Sequence, residues 1–453
     1  MASLDRKHLS SLVERERAIY VADHPTSKRL FGEAGHLCGR VPMTWMAMWS
    51  GSFPLYMEYA KGNRVTDVDG REYVDFALGD TGAMAGHSPA ATVAAVRDRI
   101  DAQGGITTML PTADAEWVGA ELSRRFGLPL WSFTLTATDA NRWAIRLARL
   151  ATGRSKILTF AYCYHGSVDE AFAVPGPDAT AVARSGLVGA PVPLSETTRV
   201  AEFNDLPGVE AQLAYGDVAA VLAEPALTNI GIVLPESGFL AGLRELATRH
   251  GALLIIDETH TFSAGPGGVT RAQSLAPDVV VIGKSIGGGI PSGAYGLSAD
   301  VARLVDAHPE ADLVDVGGVG GTLAGNALSV AAMRATLEHV LTDDAFDHMI
   351  RLATAFTAGV RETIDRTGVA WSVSQLGARS EYRYASPAPR TGSDSAAVAD
   401  EELDEYLHLY LANRGVLITP FHNMALMCPD TTVEDVALHT HLFGQAVDEL
   451  VGG

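Results

Sequence analysis

The sequence predicts an α/β protein with a large domain on a mainly parallel sheet, helices on both faces of that sheet, and a smaller α+β domain. Three observations carry this expectation. From about residue 115, apolar runs of strand length alternate with longer amphipathic stretches, the pattern of parallel strands joined by helices. The runs Val218–Ala223, Ala252–Ile256 and Val279–Ile282 are apolar throughout, as strands covered on both faces are. At 453 residues and 47% apolar composition, the chain can bury a large core and form two or three domains.

Composition narrows the functional classes. The net charge is −20, with acids spread along the chain, which argues against nucleic acid and anionic membrane surfaces as partners. Cys38, Cys163 and Cys428 are few, odd in number and without CxxC spacing, so neither a disulfide framework nor a metal site is expected, and a reducing cytoplasm fits. The start, MASLDRKHLSSLVERER, lacks the apolar core of a signal peptide, and no run approaches the roughly 18 apolar residues of a membrane helix.

Taken in order, residues 4–35 read as helical. The segment Gly39–Phe53 follows no clean period but gathers Trp45, Trp49, Met43, Met46 and Met48. Indoles and thioethers suit the wall of an apolar substrate pocket, and equally a core or dimer contact. Leu55–Phe76 alternates around Asp69-Gly70 as a β-hairpin does. After the Gly-rich turn Leu78–Pro89, a helix is expected over about Ala90–Ala102. Trp131–Thr136 reads as a strand and Asp139–Leu150 as an amphipathic helix. Between them, Thr136, Ala137, Thr138 and Asp139 place small and hydroxyl residues at a helix N-terminus, where free N–H groups suit a phosphate, though Thr and Asp are also ordinary N-caps. The strand Lys156–Phe160 runs into Tyr162, Cys163, Tyr164, His165 and Gly166; an aromatic there stacks on a planar ring or simply packs. Val218–Ala223 ends in Glu224-Pro225. Helices are expected over Gly238–His250, Asp300–His308 and about Ala327–Leu341, with the glycine-rich loop Val316–Asn326 before the last of these. Towards the C-terminus come a loop over Ser386–Ser395, a strand over Gly415–Thr419, and then Pro420, Phe421, His422 and Asn423.

Two polar residues stand out because each ends an apolar run: Asp257 and Lys284. In open α/β sheets the C-terminal strand edge is where ligands bind. Of five lysines (Lys7, Lys28, Lys61, Lys156 and Lys284), only Lys284 follows a buried run. A buried ammonium is costly unless paired or neutralised, and one solution is an imine to an aldehyde cofactor. A structural Asp257–Lys284 ion pair accounts for the two residues as well.

The order of LTATDAN (135–141), YHG (164–166), AEP (223–225), IIDET (255–259), GKSIGGG (283–289) and GGTLAGN (320–326) resembles the class III pyridoxal-phosphate aminotransferases of fold type I. YVDF (73–76) and GHSP (86–89) resemble the same family's N-terminal signature. The resemblance spans about residues 60–340 and is nearest the branch of glutamate-1-semialdehyde aminomutase and the β-amino-acid and amine transaminases.

The resemblance implies a seven-stranded, mainly parallel sheet in a large domain at 76–340, with 1–75 and 341–453 forming the small domain. It implies pyridoxal 5′-phosphate as cofactor, no metal, and a homodimer with shared active sites. Lys284 would hold the cofactor as an imine and then move the substrate proton; Asp257 would keep the pyridine nitrogen protonated. Tyr164 and Thr259 would lie on the two ring faces, Ala137 and Thr138 would bind the phosphate, and Thr322 would reach the neighbouring subunit's phosphate. His165 and Glu224 would stand beside the cofactor, and Trp45, Trp49 and His422 beside the substrate.

The chain departs from the family in its motifs and around the expected substrate carboxylate. Thr136-Ala137-Thr138 replaces Ser-Gly-Thr or Ser-Gly-Ser, Asp139 replaces Glu, and Thr259 replaces Val. Arginines expected around the substrate carboxylate are missing from Val41–Trp49 and from Pro420–Asn423, leaving Arg40, Arg379 and Arg383 to grip an oxo acid. The expected activity is therefore transfer of an amino group from a hydrophobic amine or β-amino acid to a small 2-oxo acid such as pyruvate. The alternatives are an isomerase, meaning an aminomutase or racemase using the same lysine, and a non-enzymatic binding protein on this fold.

Overall fold

A computed structural model of the protein describes residues 4–313 and 316–452; the first three residues of the MASLDRKH start lie outside them. The chain separates into two compact units, one of residues 1–88, 347–388 and 398–453, the other of residues 89–346 and 389–397.

In the second unit the strands are β4 (Leu130–Thr134), β5 (Lys156–Phe160), β8 (Thr198–Ala201), β9 (Val218–Ala223), β10 (Leu253–Asp257), β11 (Val279–Gly283) and β12 (Gly293–Leu297). They form one seven-stranded sheet in the order β4-β12-β11-β10-β9-β5-β8. The pairs from β11 through β8 are parallel, and only β12 runs against both of its neighbours, so the sheet is mainly parallel as expected. A small antiparallel pair, β6 (Ala173–Pro175) and β7 (Ala181–Ala183), lies in the connection between β5 and β8. β9 and β11 are buried at every residue, which is why their sequences carry no polar alternation.

The helix expected from Asp139 begins at Ala137. The reason is local: Thr136 is its N-cap and its hydroxyl accepts from the Asp139 N–H at 3.2 Å, so the preceding strand stops at Thr134. The helix Ala90–Asp98 continues as a π-helical turn over Arg99–Gln103.

In the first unit the expected hairpin around Asp69-Gly70 is β2 (Arg64–Asp67) against β3 (Glu72–Asp75), and β1 (Met57–Lys61) adds to β2 antiparallel. The strand expected over Gly415–Thr419 shortens to β15 (Val416–Leu417), parallel to β3. A second sheet holds β13 (Ser372–Leu376), β14 (Arg379–Arg383) and β16 (Met424–Leu426). No helix among the described residues is long and apolar enough to cross a membrane.

The core of this unit contains a titratable group with nothing to titrate against. His439 is fully buried, both ring nitrogens lack a hydrogen-bond partner among the described residues, and Phe76, Phe356 and Phe443 surround it. Burial pushes its pKa down to about 3. An unfolded chain protonates histidine near pH 6.5, so between those values the unfolded state binds a proton the folded state excludes. Stability is therefore lost as pH falls below about 6.5, by about 2 kcal/mol at pH 5. His439→Phe is expected to shrink the drop in Tm between pH 7 and 5, to which the buried His24 and His408, also lowered by burial, contribute in the same direction; an equal drop in both proteins would refute this origin.

Candidate active site

The C-terminal ends of β4, β5, β9, β10 and β11 share one edge of the sheet, and the residues singled out in the sequence follow them in turn. Asp257 ends β10 and pairs in register with Val281 of β11; Lys284 follows β11 directly. Asp257 is 3% exposed. Its Oδ2 accepts from Asn141 Nδ2 at 2.8 Å and faces His165 Nδ1 at 2.9 Å, while Oδ1 accepts from the Thr259 N–H at 3.0 Å.

The structural Asp257–Lys284 ion pair is thus overturned: the carboxylate is spent on His165, Asn141 and Thr259. Burial would raise the Asp257 pKa, but the bonds and charge from His165, with those of its other donors, more than offset this and hold it below the usual carboxylate value. His165, also fully buried, is disfavoured as a cation by burial, yet Cys163 and Asp257 beside it raise its pKa well above the ordinary value. The result is a desolvated carboxylate, fixed in orientation and kept ionised.

Pyridoxal phosphate, the cofactor the resemblance implies, fits these groups. The buried anion matches a protonated pyridine nitrogen. Asn141 Oδ1, His165 Nε2 and Thr259 Oγ1 are buried without a hydrogen-bond partner among the described residues, leaving polar atoms for a ligand to satisfy.

The helix Ala137–Thr152 opens at this edge, so its first N–H groups, at Ala137 and Thr138, lie at a helix N-terminus, the kind of place that suits a phosphate. Two glycines admit that helix end. A Cβ on Gly283 would stand 3.0 Å from Ala137 N and Cβ, and one on Gly166 would stand 2.0 Å from Thr138 Oγ1. Gly166 also has φ +76°, and the next N–H, of Ser167, donates to Thr138 Oγ1 at 3.1 Å. Gly166→Ala is expected to displace Thr138 and weaken cofactor retention at least about tenfold, read as loss of visible absorbance on dialysis, because both strain and overlap oppose the change. Unchanged retention would remove Thr138 from the phosphate seat.

Glu224, 2% exposed, accepts from the Tyr164 N–H at 3.1 Å and from the Thr228 hydroxyl, and burial raises its pKa. It thereby holds the loop carrying Tyr164, whose ring is half-buried and edge-on to Phe172. Glu258, also buried, accepts from the N–H groups of Val269 and Thr270 and the hydroxyls of Thr261 and Thr270, bracing the turn after β10.

Lys284 has φ +52°, a left-handed conformation costly for a non-glycine residue and frequent where function imposes it. Its Nζ lies 2.8 Å from His260 Nε2. Asn141 and His260 are the two residues at this edge that reading by motif passes over. Asn141 stood inside LTATDAN, and His260 directly follows Asp-Glu-Thr, so position next to a singled-out motif was the available signal.

The substrate residues expected from the sequence lie in the first unit. Trp45, half-buried, contacts Phe421 with ring centroids 5.7 Å apart, and Phe421 contacts His422 at 5.0 Å. Trp49 instead packs on Tyr73, Ala412 and Leu417. His422 Nδ1 stands 3.5 Å from the buried Glu381 carboxylate. Arg379 is buried and donates to the Thr81 hydroxyl, whereas Arg40 is exposed beside Phe31. Thr322 is exposed in the glycine-rich loop of the second unit.

Comparison with known proteins bears on this arrangement. The family model "Aminotransferase class-III" matches residues 45–445. A glutamate-1-semialdehyde 2,1-aminomutase of Bordetella avium (strain 197N) is 34% identical over 377 residues, covering 82% of this chain and 86% of that protein. The crystal structure of a glutamate-1-semialdehyde-aminomutase from Pseudomonas aeruginosa PAO1, in complex with PMP, matches with a TM-score of 0.96 at 48% identity over 99% of both chains. An omega-transaminase from Sphaerobacter thermophilus matches with a TM-score of 0.85 at 29% identity, over 95% of this chain and 99% of the other. The chain belongs to the class-III aminotransferases, a pyridoxal-phosphate-dependent family, and has their fold type I architecture.

Proposed function

We propose that this protein is an aminomutase that moves an amino group between adjacent carbons of one small substrate, of the glutamate-1-semialdehyde type. The observation that carries this reading over intermolecular transfer is the 48% identity across 99% of both chains to a protein of that name, with curated relatives so named at 34%. It displaces transfer from a hydrophobic amine as the leading reading.

Bound pyridoxal phosphate supplies an aldehyde that condenses with amines and a ring that accepts the electron pair left on carbon. The chain supplies the rest. Asp257, held ionised, keeps a proton on the ring nitrogen. Ala137 and Thr138 anchor the phosphate, while Glu224 orders the Tyr164 loop against one ring face. Lys284 Nζ would move a proton between a substrate carbon and the cofactor carbon that bears the aldehyde, once for each of the two adjacent substrate carbons, a task for a single base within reach of all three. A homodimer in which Thr322 completes the neighbouring subunit's phosphate site accords with this reading. A reducing cytoplasm suits three cysteines that are all free thiols.

Transfer from an apolar amine or β-amino acid to a 2-oxo acid is the second reading. It is favoured by the Trp45–Phe421 contact in a segment without arginine between Val41 and Trp49. One assay separates the two. The purified protein is followed at its visible band with glutamate-1-semialdehyde, 1-phenylethylamine or β-phenylalanine, each with and without pyruvate. Turnover of the semialdehyde without pyruvate consumption supports the aminomutase. Bleaching by either amine, reversed by pyruvate, supports the transaminase and rejects it. Under the second reading, Trp45→Ala weakens use of bulky donors more than small ones.

A further inference from the structure

We infer that His260 is the proton partner of Lys284: its Nε2 takes a proton from Lys284 Nζ and returns it, so that the lysine is available as a free amine. This rests on the reading that Lys284 bonds the cofactor and acts as the base.

The nitrogens are 2.8 Å apart, too close for each to keep a proton on the line between them. One proton lies there, and its passage from one nitrogen to the other needs no movement of heavy atoms. His260 is 7% exposed, so bulk water is a poor competitor for that proton. Its position is set by the strand end that sets Asp257. The Thr259 N–H is fixed on Asp257 Oδ1, and the His260 carbonyl accepts from Ser263 Oγ at 3.0 Å. The buried carboxylate of Glu258, the residue between Asp257 and Thr259, binds Thr261 and Thr270 and stiffens the same turn. On the other side, Lys284 is held with φ +52°, directly after β11.

Three carboxylates of this edge have partners other than His260 and Lys284. Asp257 faces His165, Glu258 faces Thr261 and Thr270, and Glu224 faces Thr228 and the Tyr164 N–H.

The chemistry needs such a partner. A lysine adds to a carbonyl only as the free base, and a lysine that has just taken a proton from carbon must pass it on before it works again. Histidine changes charge near neutral pH and can do both. In this step a proton leaves Nζ, the Nε2 lone pair receives it, and nothing is oxidised or reduced.

The test uses the full-length protein and pyridoxal phosphate itself. Wild type, His260→Phe and His260→Gln are stripped of cofactor and reloaded. The rate at which the visible band returns is recorded across about pH 6 to 10, followed by the pH titration of the band in the loaded proteins. Both variants are expected to regain the band on the order of 100-fold more slowly near neutral pH, to bind one cofactor per chain at the end, and to titrate at a shifted midpoint. Superposition of His260→Phe on wild type in both measurements overturns the inference. So does wild-type behaviour of His260→Gln, which keeps a hydrogen-bond acceptor but cannot hold the proton; if the Phe variant does not fold, that comparison decides. Failure of the underlying reading looks different, because wild type itself would then show no band.

Discussion

Lys284→Ala is expected to lower turnover by more than about 10³-fold while leaving the protein folded and able to bind pyridoxal phosphate without a covalent bond. The loss follows from removing the lysine amine that directly follows β11. Survival of the fold follows from the partners of Asp257, the carboxylate singled out with Lys284 in the sequence, which is satisfied by His165, Asn141 and Thr259. Removing Lys284 therefore leaves the buried Asp257 carboxylate with all three of these partners, so that stranding it, the usual route to severe destabilisation, does not follow. Alanine inherits φ +52°, so backbone strain is unchanged; Lys284→Gly, which relieves it, is expected to melt at least as high as the alanine variant. Activity within tenfold of wild type in Lys284→Ala would sink the mechanism. A collapse of Tm by more than about 8 °C would show that the lysine is structural after all.

The same residues show why some of this was legible from sequence. β5 and β9 lie over the spans their apolar runs mark, because a strand buried on both faces has no other pattern to offer. β12, Gly293–Leu297, gave no such signal. Its Gly293 and Gly296 are required by contact, since a Cβ on either would meet Thr134 Oγ1 at 2.4 Å or the Trp131 ring at 2.7 Å, but glycine carries little strand propensity. Asp257 and Lys284 stood out because a polar residue ending an apolar run is costly without a task. Their partners did not: Asn141 is 116 positions from Asp257, and His260 is 24 from Lys284, distances that only the sheet closes. The missing arginines pointed towards an apolar donor, whereas similarity along the whole chain supports an aminomutase. Absence from two short segments carries little weight when Arg379 and Arg383 are buried on β14, a third segment of the same unit.

Asp257→Asn is the second large effect, and it differs from the lysine change because it strikes stability as well as chemistry. The carboxylate is the counter-ion of a buried His165, and breaking a buried pair by neutralising one partner costs about 3 to 5 kcal/mol. The sign with pH follows from the lowered Asp257 pKa. Its stabilisation is present above the unfolded carboxylate value near 4 and is lost as pH falls through the lower folded value. At neutral pH the wild type has that stabilisation in full and the variant lacks it, so the difference in Tm is expected to be large at pH 7 and to shrink under strong acid. Turnover is expected to fall by at least about 10³-fold, because an amide cannot hold the ring nitrogen protonated while carbon releases its proton. His165→Asn in the same background separates the two effects. It removes the group left unpaired and is expected to recover part of the lost Tm but none of the lost turnover. Recovery of both would mean that Asp257 serves only to seat His165, and recovery of neither would mean that the buried pair is not what the mutation breaks.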